Sequence, residues 1–156
     1  MLNQLAGYMQ LSPVRELRVL WYATSKAMRY SSATYKPFLE IPGGLIEDDE
    51  SPLAACHREV REELRALGRL LFVDWMPTHG VWRDSLQLIF DGGTLSSEQI
   101  SAIQPAEDEL SRFEFLELDD AKERLRPSMA RRVELASWTL LDGGAAYGEI
   151  GRQPAR

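Results

Sequence analysis

The sequence predicts an α/β fold in which a mixed β-sheet lies between helical layers. Three observations carry this reading. Strand-like and helix-like stretches are interleaved without strict alternation, which argues against a doubly wound parallel sheet. A Gly-Gly turn followed by Ser51-Pro52 opens a well-patterned helix. The chain has 156 residues, 44% of them hydrophobic and 27% charged, enough for one domain with its own core. We expect a single domain over 1–156, with a loose N-terminal arm at 1–13 and a frayed tail at 145–156.

In chain order, Leu17, Val19 and Trp21 fall on one side of the stretch from Val14 to Tyr22, a partial alternation that predicts a strand. Ser25 to Pro37 is polar and irregular and reads as a loop. Phe38 to Ile41 reads as a short extended stretch ended by the turn Pro42-Gly43-Gly44. Ser51 is a good N-cap and Pro52 suits the first helical position. Leu53, Cys56 or His57, Val60, Leu64 and Leu67 then recur at helical spacing as the expected buried stripe. Gly68 is the expected stop.

Leu70 to Trp75 and Ser85 to Phe90 read as strands joined by a polar loop, Ser97 to Ile103 as a short helix and Phe113 to Leu118 as a strand. Asp119 or Asp120 is expected to cap a short helix ending near Pro127. In the longer helix that follows, Met129, Val133, Ala136 and Leu140 share a face, and Gly143-Gly144 closes it.

Composition narrows the function. The formal net charge is -6, which disfavours a nucleic-acid partner because such binding usually needs a basic patch. A phosphate ligand would need positive charge, most simply a bound metal assisted by Arg or Lys. No run approaches the roughly 18 apolar residues of a membrane span. The N-terminus lacks the pattern of a signal peptide. With one cysteine, Cys56, no intrachain disulfide can form. We therefore expect a cytoplasmic protein with no membrane partner.

The most informative segment is Gly44 to Ala66, GLIEDDESPLAACHREVREELRA. At about 100° per residue, Glu62 lies about 60° from Glu59 and Glu63 about 40° away on the other side. The three carboxylates share a face within one turn. Their mutual repulsion would be relieved by a hard cation such as Mg²⁺, which takes oxygen ligands and substrate phosphates. Taken alone, such a helix is more often a solvated face, and Arg58–Glu62 an ordinary i,i+4 pair.

The segment closely resembles the Nudix box, G-x5-E-x7-R-E-U-x-E-E-x-G-U, with U aliphatic. Gly44, Glu50, Arg58, Glu59, Val60, Glu62 and Glu63 all fall in register. The lead-in Glu40-Ile41-Pro42-Gly43-Gly44 is similar to the family's approach to the box. The resemblance implies an α/β/α sandwich around a mixed sheet. It also implies hydrolysis, dependent on Mg²⁺ (or Mn²⁺), of a nucleoside diphosphate derivative or nucleoside triphosphate, a small-molecule partner. Carried over by position, Glu59, Glu62 and Glu63 would ligate metal, and Gly44 would bring its carbonyl near it. Glu50 and Arg58 would hold the loop to the helix. The chain departs from the pattern at Arg65, which replaces the second glycine. Arg enters the left-handed region only at a cost, so the helix is expected to run on to Gly68.

Glu107, Asp108 and Glu109 form an acidic loop before Phe113. Nudix enzymes often place a further catalytic glutamate in such a loop, and Glu109 is the choice here. A solvated charge run is the plain alternative. Lys36 is a candidate phosphate contact, weighed against an ordinary surface lysine. Trp82 is a candidate for substrate contact or a homodimer interface, while Trp75 and Phe90 read as core. Cys56 reads as core filling. The reading in a different functional class is a Nudix-fold nucleotide-binding or regulatory module with little catalysis. The complete set of box glutamates argues against it.

Overall fold

The structure, a computed structural model, describes residues 16–24, 27–32, 38–60, 68–80, 83–102 and 112–155. Its strands are β1 (Glu16–Thr24), β2 (Ala27–Ser32), β3 (Gly43–Leu45), β4 (Leu70–Met76), β5 (Ser85–Thr94), β6 (Arg112–Leu116) and β7 (Ala146–Glu149). Its helices are α1 (Pro52–Val60), α2 (Ser97–Ala102), α3 (Leu118–Arg124) and α4 (Pro127–Asp142). The strands form one sheet in the order β6-β2-β1-β5-β4-β7, with β3 paired to β1. The pairs β1–β5 and β4–β7 are parallel and the others antiparallel, so the sheet is mixed as expected.

Two cores form because successive strand residues point to opposite faces. Ile89 joins Leu71, Phe72 and the α3–α4 residues Ala121, Leu125, Met129, Val133 and Ala136. Its neighbour Phe90 joins Ile46, Leu95 and the α1 residues Ala55 and Cys56. The result is an α/β/α sandwich. Leu71 and Phe72 are consecutive yet share one cluster, and the β4–β5 register slips between Leu70 and Phe72. Such a bulge turns both residues to the same side.

Several expectations change. The stretch read as a loop after Ser25 contains β2, which is hydrogen-bonded to β1 on one side and β6 on the other. Its polar residues, AMRYSS, give no alternating pattern, so pairing rather than hydropathy decides it. The expected turn at Pro42-Gly43-Gly44 becomes the start of β3, where Gly43 (φ 151°) and Gly44 pair with Arg18 and Leu17. Glu117, not Asp119 or Asp120, is the N-cap of α3, and its side chain makes no cap bond. Leu53 is exposed, and the apolar contact of α1 is carried by Ala55 and Cys56. Leu53 lies in the first turn of the helix.

The tail does not fray over its described length. Residues 146–149 form β7, parallel to β4, with Phe72 opposite Ala146 and Trp75 opposite Glu149. Ile150 N–H then donates to the Trp75 carbonyl at 2.9 Å. Buried Asp74 pairs with Arg132 of α4 and accepts from Gly151 N–H at 2.8 Å. The small residues that made the tail look loose allow this approach. A Cβ at Gly148 would collide with the Phe72 ring and stand 2.9 Å from the Arg152 carbonyl oxygen. Upstream, Gly143 (φ 82°) ends α4 as expected. Arg69 donates to the last carbonyls of that helix, reaching Thr139 O at 2.8 Å and Leu140 O at 3.2 Å.

Candidate active site

The described part of the site is the joint between β3, the loop 46–51 and α1. Ser51 caps α1 as its sequence position suggests: its Oγ accepts Ala54 N–H at 3.1 Å, and its carbonyl accepts Ala55 N–H at 2.9 Å. Just before it, Glu50 N–H donates to the Glu47 carbonyl at 3.2 Å, closing a tight turn. Asp49 sits at φ 60°, in the left-handed region that Asp tolerates better than most residues.

Arg58 reaches back from α1 across this turn. Its Nε donates to Glu50 Oε1 at 2.8 Å and its Nη2 to Glu50 Oε2 at 2.8 Å, a two-pronged charge-assisted pair. Nη2 also donates to the Leu45 carbonyl of β3 at 3.0 Å. Glu50 Oε2 accepts Glu47 N–H at 3.0 Å, and Glu47 Oε1 lies 3.8 Å from Arg58 Nη1. The Arg58 hydrogen bond, followed by that from Glu47 N–H, holds the Glu50 carboxyl at about 2, far below its ordinary value. Glu50 is therefore ionised at neutral pH and committed to Arg58.

This clasp decides what lies near what. Arg58 precedes Glu59 on α1, and Leu45 follows Gly44 on β3. Tying Arg58 to the Leu45 carbonyl brings Glu59's helical position to Gly44's strand. The expected supporting pair Glu50–Arg58 is thus present. Beneath it, Cys56 is buried in the core, as expected.

Glu59 is described as a helical position on α1. Glu62 and Glu63, like Lys36, Trp82 and Glu109, lie outside the described residues, as does the expected helix run from 61 to 67. Among the described residues no cluster of His, Cys, Asp or Glu is arranged to hold a metal ion. The proposed ligand set is three carboxylates and a backbone carbonyl, all oxygen donors, which suits a hard divalent cation. His57 and His79 are exposed.

Gly68 is itself in no helix, and the run it was expected to end lies outside the described residues. Its N–H donates to the Asp91 carbonyl of β5 at 2.7 Å. Neither this contact nor the Leu45 carbonyl was legible beforehand. Backbone acceptors leave no mark in a sequence, and Asp91 is remote from the box.

The model of the NUDIX domain matches residues 16–149. No curated protein sequence matches the chain. Similar solved structures include a UDP-X diphosphatase, at 16% identity and TM-score 0.62, covering 95% of this chain and 75% of that one. Another is a MutT protein from Methanosarcina mazei Go1, at 17% and 0.64, covering 84% and 99%. A third is an ADP-ribose pyrophosphatase from Streptococcus suis 89-1591, at 16% and 0.59, covering 88% and 99%. At these identities the structural likeness establishes the fold. Among the described residues no helix is long and apolar enough to cross a membrane.

Proposed function

The chain belongs to the NUDIX domain family, and on that premise we propose that it hydrolyses the diphosphate linkage of a nucleotide-type small molecule with the help of Mg²⁺ or Mn²⁺. The observation that carries the proposal is the Arg58 clasp, which holds α1 against β3, the elements in which Glu59 and Gly44 occur. In the proposed site Glu59, Glu62, Glu63 and the Gly44 carbonyl hold the cation. When bound, the cation neutralises phosphate charge and favours ionisation of a nearby water.

This chain's residues do the rest. A box glutamate or Glu109 accepts a proton from the attacking water. The water oxygen bonds to phosphorus, and the bridging P–O bond breaks with its electron pair leaving on the departing phosphate. Lys36 is assigned to phosphate and Trp82 to the substrate's organic portion or a homodimer contact. With a net charge of -6, the protein is assigned no nucleic-acid partner. Its single cysteine fits a reducing cytoplasm.

The similar structures are named for UDP-X and ADP-ribose chemistry. The test is therefore a panel of nucleoside diphosphate sugars, ADP-ribose, dinucleoside polyphosphates and (d)NTPs with Mg²⁺, Mn²⁺ or EDTA. Turnover that requires metal and falls by about 10²–10⁴-fold in Glu62→Gln and Glu63→Gln is expected. Unchanged rates in both variants sink the assigned roles.

A further inference from the structure

We propose that the outer stripe of α4 is a self-association surface, on which two copies of the chain pack α4 against α4, antiparallel, around Trp138. Such a pair is independent of the enzymatic role assigned above.

A turn of about 100° per residue places Pro127, Arg131, Glu134, Trp138, Leu141 and Asp142 along one side of α4. The opposite side is committed to the sheet: Met129, Val133 and Ala136 are buried in the core, and Arg132 pairs with Asp74. The outer stripe nevertheless carries two large apolar side chains. Trp138 is 53% exposed and Leu141 82% exposed. At i,i+3 they are neighbours on the helix surface and form one patch. Tryptophan is among the side chains that most often anchor an interface.

The charges on the stripe select a second copy as the occupant. Arg131 stands toward one end and Asp142 at the other, on the same side and about 16 Å apart along the axis. Arg131 Nη2 donates to the Ile150 carbonyl at 2.9 Å. Among the described residues neither Arg131 nor Asp142 has an ion-pair partner. Glu134, between them, is already paired with Lys122 of α3. A stripe with a positive end, an apolar middle and a negative end is complementary to its own reverse. In a twofold pair, Arg131 of each copy lies level with Asp142 of the other, and the two Trp138 rings meet beside the axis. Helical side chains lean toward the N-terminus of their own helix, so Trp138 of one copy leans toward Leu141 of the other. Parallel packing would instead set Arg131 against Arg131 and Asp142 against Asp142. Exposed ion pairs add little affinity, so the apolar middle supplies the binding and the charges fix the register. One helix face about 24 Å long is small beside the roughly 800 Å² per partner of a standard interface. The dimer is therefore a reversible one.

Sedimentation velocity on the wild-type chain from about 1 μM to 1 mM reads the association, and a concentration-dependent dimer is expected. Trp138→Glu should weaken it by about 30-fold or more. Asp142→Lys should weaken it by about tenfold by setting like charges together. Arg131→Glu combined with Asp142→Lys should restore it to near the wild-type level. Trp138 and Asp142 are exposed, so their single variants decide the matter even if the exchanged pair does not fold. A wild-type chain that stays monomeric throughout overturns the proposal and leaves the stripe to a different partner. A dimer that survives Trp138→Glu, including one lost in Trp82→Ala instead, also overturns it. A dimer that Asp142→Lys leaves unweakened, or a folded exchanged pair that stays monomeric, overturns the antiparallel register.

Discussion

Glu50 and Arg58 meet fork to fork, Nε to Oε1 and Nη2 to Oε2, both at 2.8 Å. The same Nη2 also reaches the Leu45 carbonyl. One guanidinium thus ties a helix, a turn and a strand together, which a point-charge ammonium cannot do in the same geometry.

Arg58→Lys should therefore behave as a loss. Turnover is expected to fall by about 10- to 100-fold, with the helical circular dichroism signal retained. Steady-state kinetics on the active substrate checks this. Wild-type turnover in Arg58→Lys would show that charge alone suffices at this position.

The clasp also predicts an acid limit. Glu50 titrates at about 2 in the folded protein against an ordinary 4.5, because Arg58 and Glu47 N–H bond to its ionised form. The unfolded chain therefore binds more protons than the folded one between these values. This contribution to stability is complete above 4.5 and is lost as pH falls toward 2. A carboxyl-carbon NMR titration should show Glu50 still ionised where exposed glutamates have protonated. In Arg58→Ala its midpoint should rise toward the ordinary value.

Asp74 and Arg132 form a buried ion pair between β4 and α4. Removing one charge strands the other. Asp74→Leu should cost about 3–5 kcal/mol in urea unfolding. The paired replacement Asp74→Leu with Arg132→Met should recover most of that loss. The Gly151 N–H, which also uses Asp74, would still lack its partner. Equal losses in the single and paired variants would refute the stranded-charge explanation.

The C-terminal strand makes a separate prediction. Gly148→Ala places a methyl against the Phe72 ring, the Arg152 carbonyl and, at 3.1 Å, Asp74 Oδ1. It should destabilise the fold by about 1–3 kcal/mol. Mn²⁺ binding by the folded fraction should be unchanged, because β5 and β4 stand between β7 and β1, the strand that pairs with β3. Chemical denaturation and the Mn²⁺ titration together check both halves.

The box was legible because its chemistry is written in side chains at fixed spacing, from Gly44 through Glu63. The start of α1 was legible for a local reason: Ser51 and Pro52 carry their own capping preferences. Sequence by itself thus determined the family, the mixed α/β class, the supporting pair Glu50–Arg58 and the ends of α1 and α4 nearest Ser51 and Gly143. Tertiary structure alone decided that AMRYSS is a strand, that the glycine-rich tail docks on β4 and that Gly68 must be bare against Asp91. Those outcomes depend on backbone hydrogen bonds and on close approach between distant segments. A polar strand between two partners and a glycine pressed against a remote residue have no local pattern, because the partner that gives them meaning lies elsewhere in the chain.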